Sequence, residues 1–207
     1  MKPFIKICGI TNSEDALAAC KFGADALGFI FYEKSPRYIT PDQAAAIIQQ
    51  IPRNVQAVGV FVNRPRNEIE AIIGQTGIHT AQLHGDETPD DCELKNVRVW
   101  KALRPVNEDG LSMLDRFTVD AFLLDTFDRK LYGGTGKTGN WELAHAAAKR
   151  YKVILSGGLN PDTIAGAIAT VNPTGIDINS GVEAEPGKKD HRKLKELFTV
   201  LQTTIYS

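Results

Sequence analysis

The strongest constraint on this chain is an alternation that runs along its whole length. Short apolar runs recur at 4–8, 26–31, 57–62, 80–83, 97–102, 121–124, 153–155 and 175–178, each about as long as a buried strand and most of them rich in Val, Ile and Phe. Between them lie stretches with helical spacing. Leu194, Leu197, Phe198 and Leu201 step i, i+3, i+4, i+7 and share one helical face, and Ile69, Ile72 and Ile73 do the same. Thr40-Pro41, Thr88-Pro89 and Asn160-Pro161 each place a capping side chain before a proline at a first helical position. Thr40 with Gln43, and Thr11 with Glu14, have the spacing of a capping box, and Gly23 fits the end of the first helix.

Strands that alternate strictly with helices make a parallel sheet. Eight units in 207 residues, about 26 residues apiece, predict an α/β fold, a closed (β/α)8 TIM barrel near the roughly 200-residue lower limit of that architecture. The rival is a doubly wound open sheet. The connection between the fourth and fifth strands, 85–96, is short. No shift in composition marks a linker, so a single catalytic domain over 1–207 is expected.

Composition removes several classes of function. With 43% hydrophobic and 24% charged residues the chain is neither disordered, collagenous nor coiled coil. Lys and Arg (24) nearly balance Asp and Glu (25), so nothing draws nucleic acid or an anionic membrane from a distance, and an anionic ligand must be held by a local site. Cys8, Cys20 and Cys92 are too scattered for a disulfide framework or a CxxC metal site, and an odd count suits a reducing compartment. His79, His145 and His191 read as turn and surface residues and form no metal constellation. There is no signal-peptide core and no run near the roughly 20 apolar residues that span a bilayer. A cytoplasmic monomer or homodimer with a small-molecule substrate, no nucleic-acid or membrane partner and no metal is the expectation.

Parallel barrels build their sites at the C-terminal ends of the strands. Those ends here carry Cys8-Gly9, Ser35-Pro36-Arg37 in the second loop, Asn63, His84-Gly85, Asp125, Gly157-Gly158 and Asp177-Asn179-Ser180-Gly181, whereas the strand entries carry turn residues. Cys8 reads either as a small buried hydrophobe or as a base or nucleophile. Lys6, two residues back on the same face, should lower its thiol pKa, and His84 could serve a Cys–His pair. Asp125 directly follows a buried run, so it is either a desolvated general acid or a turn cap. The glycines after the seventh and eighth strands suit backbone binding of a phosphate, with ordinary turn chemistry as the alternative. Arg37 can meet a carboxylate bidentately or stay solvated. Gly133-Gly134-Thr135-Gly136-Lys137-Thr138 imitates the end of a P-loop, but the first glycine of that motif would fall on Leu131, so 126–140 reads better as a lid.

Taken in order, Lys6-Ile7-Cys8-Gly9-Ile10-Thr11, Gly28-Phe29-Ile30-Phe31, Ser35-Pro36-Arg37, Gly59-Val60-Phe61, Gln82-Leu83-His84-Gly85, Leu123-Leu124-Asp125, Gly133-Gly134-Thr135-Gly136, Ser156-Gly157-Gly158-Leu159, Ser180-Gly181-Val182-Glu183 and Gly187-Lys188-Lys189-Asp190 resemble the phosphoribosylanthranilate isomerases of tryptophan biosynthesis. The resemblance implies a (β/α)8 barrel that performs an Amadori rearrangement of N-(5-phosphoribosyl)anthranilate without a metal or organic cofactor. It places the general base on Cys8, the general acid on Asp125 and the anthranilate-carboxylate arginine on Arg37. It places phosphate contacts on the backbone of Gly157, Gly158, Ser180 and Gly181, and further substrate-site positions on Asp177 and His84. Two segments depart from the family pattern: Gly139-Asn140-Trp141 replaces Phe-Asp-Trp, and Asn179 replaces a Ser. The neighbouring aldose–ketose isomerases of histidine biosynthesis carry an Asp at the Cys8 position and a second phosphate motif in the first half, neither of which occurs here. A barrel that binds a phosphorylated ligand without turning it over is the non-enzymatic rival.

Overall fold

The apolar runs close on themselves. In the computed structural model, which describes residues 2–105, 107–126 and 141–206, they become β1 (Phe4–Ile7), β2 (Ala26–Ile30), β3 (Gln56–Phe61), β4 (Thr80–Leu83), β5 (Arg98–Leu103), β6 (Ala121–Asp125), β7 (Val153–Ser156) and β8 (Gly175–Ile178). Each strand pairs in parallel with the next, and β1 pairs with β8 in the register Phe4–Gly175 through Ile7–Ile178. The sheet is therefore a closed barrel and not a doubly wound open sheet.

The helices are α1 (Ser13–Phe22), α2 (Pro41–Ile48), α3 (Arg66–Thr76), α4 (Glu108–Ser112), α5 (Trp141–Ala148), α6 (Ile164–Val171) and α7 (His191–Tyr206). Thr40 caps α2 in the expected box with Gln43, and Gly23 ends α1. The cap expected at Thr11 falls instead to Asn12, whose side chain accepts from the Asp15 N–H, while the Thr11 hydroxyl donates to the Gly187 carbonyl. The Asn160 side chain accepts from the N–H groups of Asp162 and Thr163 and so caps the turn that leads into α6.

Strict alternation fails once. Between β4 and β5 there is a single 3-10 turn, Asp90–Cys92, in place of a helix. The 85–96 connection is too short to lay a helix on the barrel, and Thr88 turns it by donating its N–H and hydroxyl to the Asp91 carboxylate at 2.8 and 2.7 Å. A buried ion pair fills the missing helix's place. Lys101 Nζ reaches Glu87 Oε2 and the Gly85 carbonyl, both at 2.7 Å, and Glu87 also accepts from the N–H groups of Asn63 and Gly85.

Successive strand residues point to opposite faces. On β1, Ile5 and Ile7 face the large core between sheet and helices, while Phe4 packs with the barrel-interior set Ala26, Val58, Trp100, Ala102, Ala121, Leu123 and Ile154. Phe4 and Trp100 meet edge-on at 5.9 Å. These side chains fill the barrel's interior. The same alternation sends Lys6 and Cys8 inward above them, toward the strand exits.

Beyond β8 the chain makes a 3-10 turn (Ser180–Val182) and a short antiparallel hairpin, β9 (Glu183–Glu185) with β10 (Lys188–Lys189), before α7.

Candidate active site

Of the residues expected at the site, Cys8, Arg37, His84, Asp125, Gly157, Gly158, Asp177 and Ser180 line one cavity of about 430 Å³ at the barrel mouth. Gly181 stands behind this lining. A Cβ on it would overlap the Leu159 carbonyl oxygen, so a side chain there would part the β8 turn from the β7 loop. Gly157 and Gly158 both adopt positive φ, at 101° and 67°. Among the described residues no hydrogen bond takes up the N–H of Gly158, Ser180 or Gly181. Loops with spare N–H groups, meeting at the ends of two strands, make a cradle for an anion.

Cys8 sits one residue past β1, buried, with its N–H donated to the Ile178 carbonyl at 2.8 Å. Its electrostatics differ from the sequence expectation. Burial pushes the thiol pKa up, the Asp177 charge adds to that, and Lys6 and Lys189 pull it down without prevailing. Lys6 falls short because it is shared. Its register partner on β8 is Asp177, and the two form an ion pair at 2.9 Å with exposures of 0% and 5%. Burial opposes the Lys6 charge, yet Asp177 and Cys8 together still hold its pKa above the ordinary value. The sequence alone gave no partner for Lys6, which made it look like a cation acting on Cys8 undiluted.

Gly28, which the resemblance includes in Gly28-Phe29-Ile30-Phe31 without giving it a role, has a steric one here. A Cβ built on it would lie 2.7 Å from Cys8 Sγ and 3.0 Å from Lys6 Nζ. The thiol and the ammonium thus occupy space that any side chain on β2 would fill. The cue was present in the sequence as a glycine within a buried strand.

Asp125 ends β6, and its Oδ2 accepts from Arg104 Nη2 at 2.7 Å and Nε at 3.1 Å. Arg104, just past β5, was missed because nothing in its local sequence distinguishes it from a solvated loop arginine. His84 Nδ1 lies 2.9 Å from Gln82 Nε2. With the amide donating, the imidazole proton belongs on Nε2. Burial lowers the His84 pKa, so the ring is neutral near pH 7 and offers a donor rather than a charge. Gln82 is itself buried, and its Oε1 has no partner among the described residues.

Arg37 is bidentate on Glu183, at 2.6 Å from Nη2 to Oε2 and 2.8 Å from Nε to Oε1. Asn179 Oδ1 accepts from Lys189 Nζ at 3.0 Å, a reach that the family's usual serine lacks. The imitation P-loop, the expected lid beyond Thr126 and Gly139-Asn140 lie outside the described residues. His79 is an exposed bend residue, as expected, and accepts the Ala57 N–H through Nδ1 at 3.1 Å, while His191 pairs with Asp15 at 2.8 Å. Among the described residues no group of three or more His, Cys, Asp or Glu is placed to hold a metal ion, and no helix is long and apolar enough to cross a membrane.

Residues 5–200 match the family model described as N-(5'phosphoribosyl)anthranilate (PRA) isomerase. An N-(5'-phosphoribosyl)anthranilate isomerase of Pelobacter propionicus is 49% identical over 200 residues, covering 97% of this chain and 96% of its own. A crystal structure of phosphoribosyl anthranilate isomerase from Thermotoga maritima superposes with a TM-score of 0.88 at 41% identity, covering 97% of this chain and 99% of that one. Another isomerase structure, in complex with reduced 1-(o-carboxyphenylamino)-1-deoxyribulose 5-phosphate, gives a TM-score of 0.86 at 39% identity with the same coverage.

Proposed function

The chain belongs to the N-(5'-phosphoribosyl)anthranilate isomerase family, and from that premise we propose how its barrel mouth carries the reaction. The protein is an isomerase of tryptophan biosynthesis that converts N-(5'-phosphoribosyl)anthranilate to 1-(2-carboxyphenylamino)-1-deoxyribulose 5-phosphate. In our reading Asp125 is the general acid. It gives a proton to the ribose ring oxygen, the bond from that oxygen to C1′ breaks, and the anthranilate nitrogen becomes the nitrogen of a Schiff base. That cation acidifies the C2′ proton, which the Cys8 thiolate removes. The resulting enol–enamine takes a proton at C1′ and gives up the proton of its C2′ hydroxyl, which leaves a ketone at C2′.

Arg37 takes the anthranilate carboxylate. The N–H groups of Gly157, Gly158, Ser180 and Gly181 take the phosphate. Neutral His84 donates through Nε2 to a substrate oxygen. Asp177 keeps Lys6 beside Cys8 through Oδ1, leaving Oδ2 for a substrate hydroxyl. Each step is a proton transfer or a ring opening driven by one, which two positioned groups can do without a metal or organic cofactor. One domain, 1–207, holds all these groups. We propose that it works in the cytoplasm as a monomer or homodimer, with no nucleic-acid partner.

The observation that carries this reading is that Cys8 and Asp125 line the same cavity as Arg37 and the glycine loops. The test is turnover of freshly generated N-(5'-phosphoribosyl)anthranilate with a chelator present throughout. Wild-type protein turns over, while Cys8→Ala and Asp125→Asn each lose about 10²–10⁴-fold in kcat. Wild-type rates in either variant would sink that residue's role.

A further inference from the structure

Arg37 has a partner that the rearrangement does not use. Glu183 opens β9, is buried, and takes one edge of the guanidinium with both oxygens, the Nε–Oε2 contact at 3.1 Å completing the fork. Its Oε1 also accepts from Lys189 Nζ at 3.0 Å and from the Gly187 N–H at 3.2 Å. Lys189 is buried too and is fixed at both ends, by Asn179 Oδ1 at its ammonium and by Asp15 Oδ2, which accepts its backbone N–H at 2.8 Å. Arg37 Nη1 has no partner among the described residues, and Arg37 lines the mouth cavity.

Two physical consequences follow. A guanidinium clamped along one edge presents its other edge in a single orientation, which is what bidentate recognition of a planar carboxylate requires. An Arg–Glu pair by itself is neutral and gives an incoming carboxylate no net attraction. Lys189 restores one net positive charge to the trio.

We propose that Glu183 and Lys189 are positioning residues for Arg37. Glu183 sets the free edge of the guanidinium toward the cavity, and Lys189 supplies the charge that Glu183 cancels, so that together they select substrates carrying an aryl carboxylate. This rests on the assignment of Arg37 to that carboxylate under the proposed function.

A purely electrostatic role for Glu183 makes the opposite prediction to a positioning role. Glu183→Gln raises the trio's net charge, so loss of charge cancellation alone would improve binding of the anion. Positioning predicts that kcat/KM falls by about 10–100-fold, since small misplacements of a substrate-orienting group carry losses of that size. The measurement is steady-state kinetics on N-(5'-phosphoribosyl)anthranilate for Arg37→Met, Glu183→Gln and the double variant, each checked for folding by thermal melt.

If Glu183 acts through Arg37, Glu183→Gln changes kcat/KM by less than about twofold in the Arg37→Met background. An equal loss in both backgrounds marks a merely structural role and overturns the proposal, as does a Glu183→Gln variant as active as wild type beside an impaired Arg37→Met. A wild-type Arg37→Met instead removes the carboxylate assignment itself. Lys189→Met is expected to raise KM by a larger factor than it lowers kcat, because Glu183 still clamps Arg37 while the Cys8 thiol loses one of the two lysines that lower its pKa. An unchanged KM overturns the role of Lys189, and this variant decides the matter should Glu183→Gln not fold.

Discussion

At the scale of single residues, the site turns on how a buried thiol is ionised. Burial and the Asp177 charge outweigh Lys6 and Lys189, so the Cys8 thiol titrates above its ordinary value of 9.0. Only the thiolate can remove the C2′ proton. Below its pKa the thiolate fraction grows about tenfold per pH unit, and the pH dependence of kcat/KM reports the free enzyme. In the Asp125→Asn background, where the acid's own titration drops out, the expected profile climbs continuously from pH 7 to 9. A plateau that begins below pH 8 would mean that Lys6 prevails. Gly28 tests the same spot sterically. Gly28→Ala puts a methyl where Cys8 Sγ and Lys6 Nζ now lie, so activity falls by at least about tenfold and overpacking costs roughly 1–3 kcal/mol in urea denaturation. A fully active Gly28→Ala would show that the thiol has room to move. The identities of Cys8 and Asp125 could be read from the sequence, because a strand exit and its chemistry are local facts. The pKa direction of Cys8 could not be, because Asp177 lies 171 positions from the lysine it engages.

At the scale of elements, the missing fourth helix is the place where local signals and architecture part. Thr88-Pro89 is a sound helix-start signal, and it does start a turn, but the connection ends before a helix can cover the barrel. Lys101 and Glu87 close the gap with a buried pair, at 1% and 4% side-chain exposure. Removing one partner of such a pair strands the other charge. Lys101→Met should therefore destabilise the protein by about 3–5 kcal/mol. The double variant Lys101→Met with Glu87→Met should recover part of that loss, and denaturant melts of the two decide it. No recovery would show that the pair also serves the β4 loop through the backbone bonds of Glu87 to Asn63 and Gly85.

Across the whole molecule, the hairpin after β8 ties the two ends of the chain together. Glu183 bridges to Arg37, and Asp15 accepts from Lys189 and pairs with His191, so ionic contacts reinforce the β1–β8 seam where the barrel closes. This seam has a pH signature. Burial pushes the Glu183 carboxyl up, but the hydrogen bond from Arg37 and the charge and hydrogen bond of Lys189 outweigh it and hold the pKa below its usual 4.5. A depressed carboxyl adds stability that is fully present above the unfolded value and is lost as pH falls through the folded one. Stability should thus decline below about pH 4.5, and in Glu183→Gln that acid slope should be shallower. Identical acid slopes in the two proteins would place the acid sensitivity elsewhere.

The sequence by itself determined what depends on near neighbours: the runs that become strands, the Thr40 cap, the count of eight that closes a barrel, and the reactive residue types at one end of it. Periodicity and capping act over a few residues, so a single chain displays them. Only the tertiary structure decided which charge answers which. It is the register of β1 against β8 that gives Lys6 to Asp177, and the fold of the last hairpin that gives Arg37 to Glu183, 146 residues away. Gly28 likewise gains its meaning only once β2 lies beside Cys8. Such pairings are set by strand closure and packing, which no local spacing encodes, and they fix the charge state of the site.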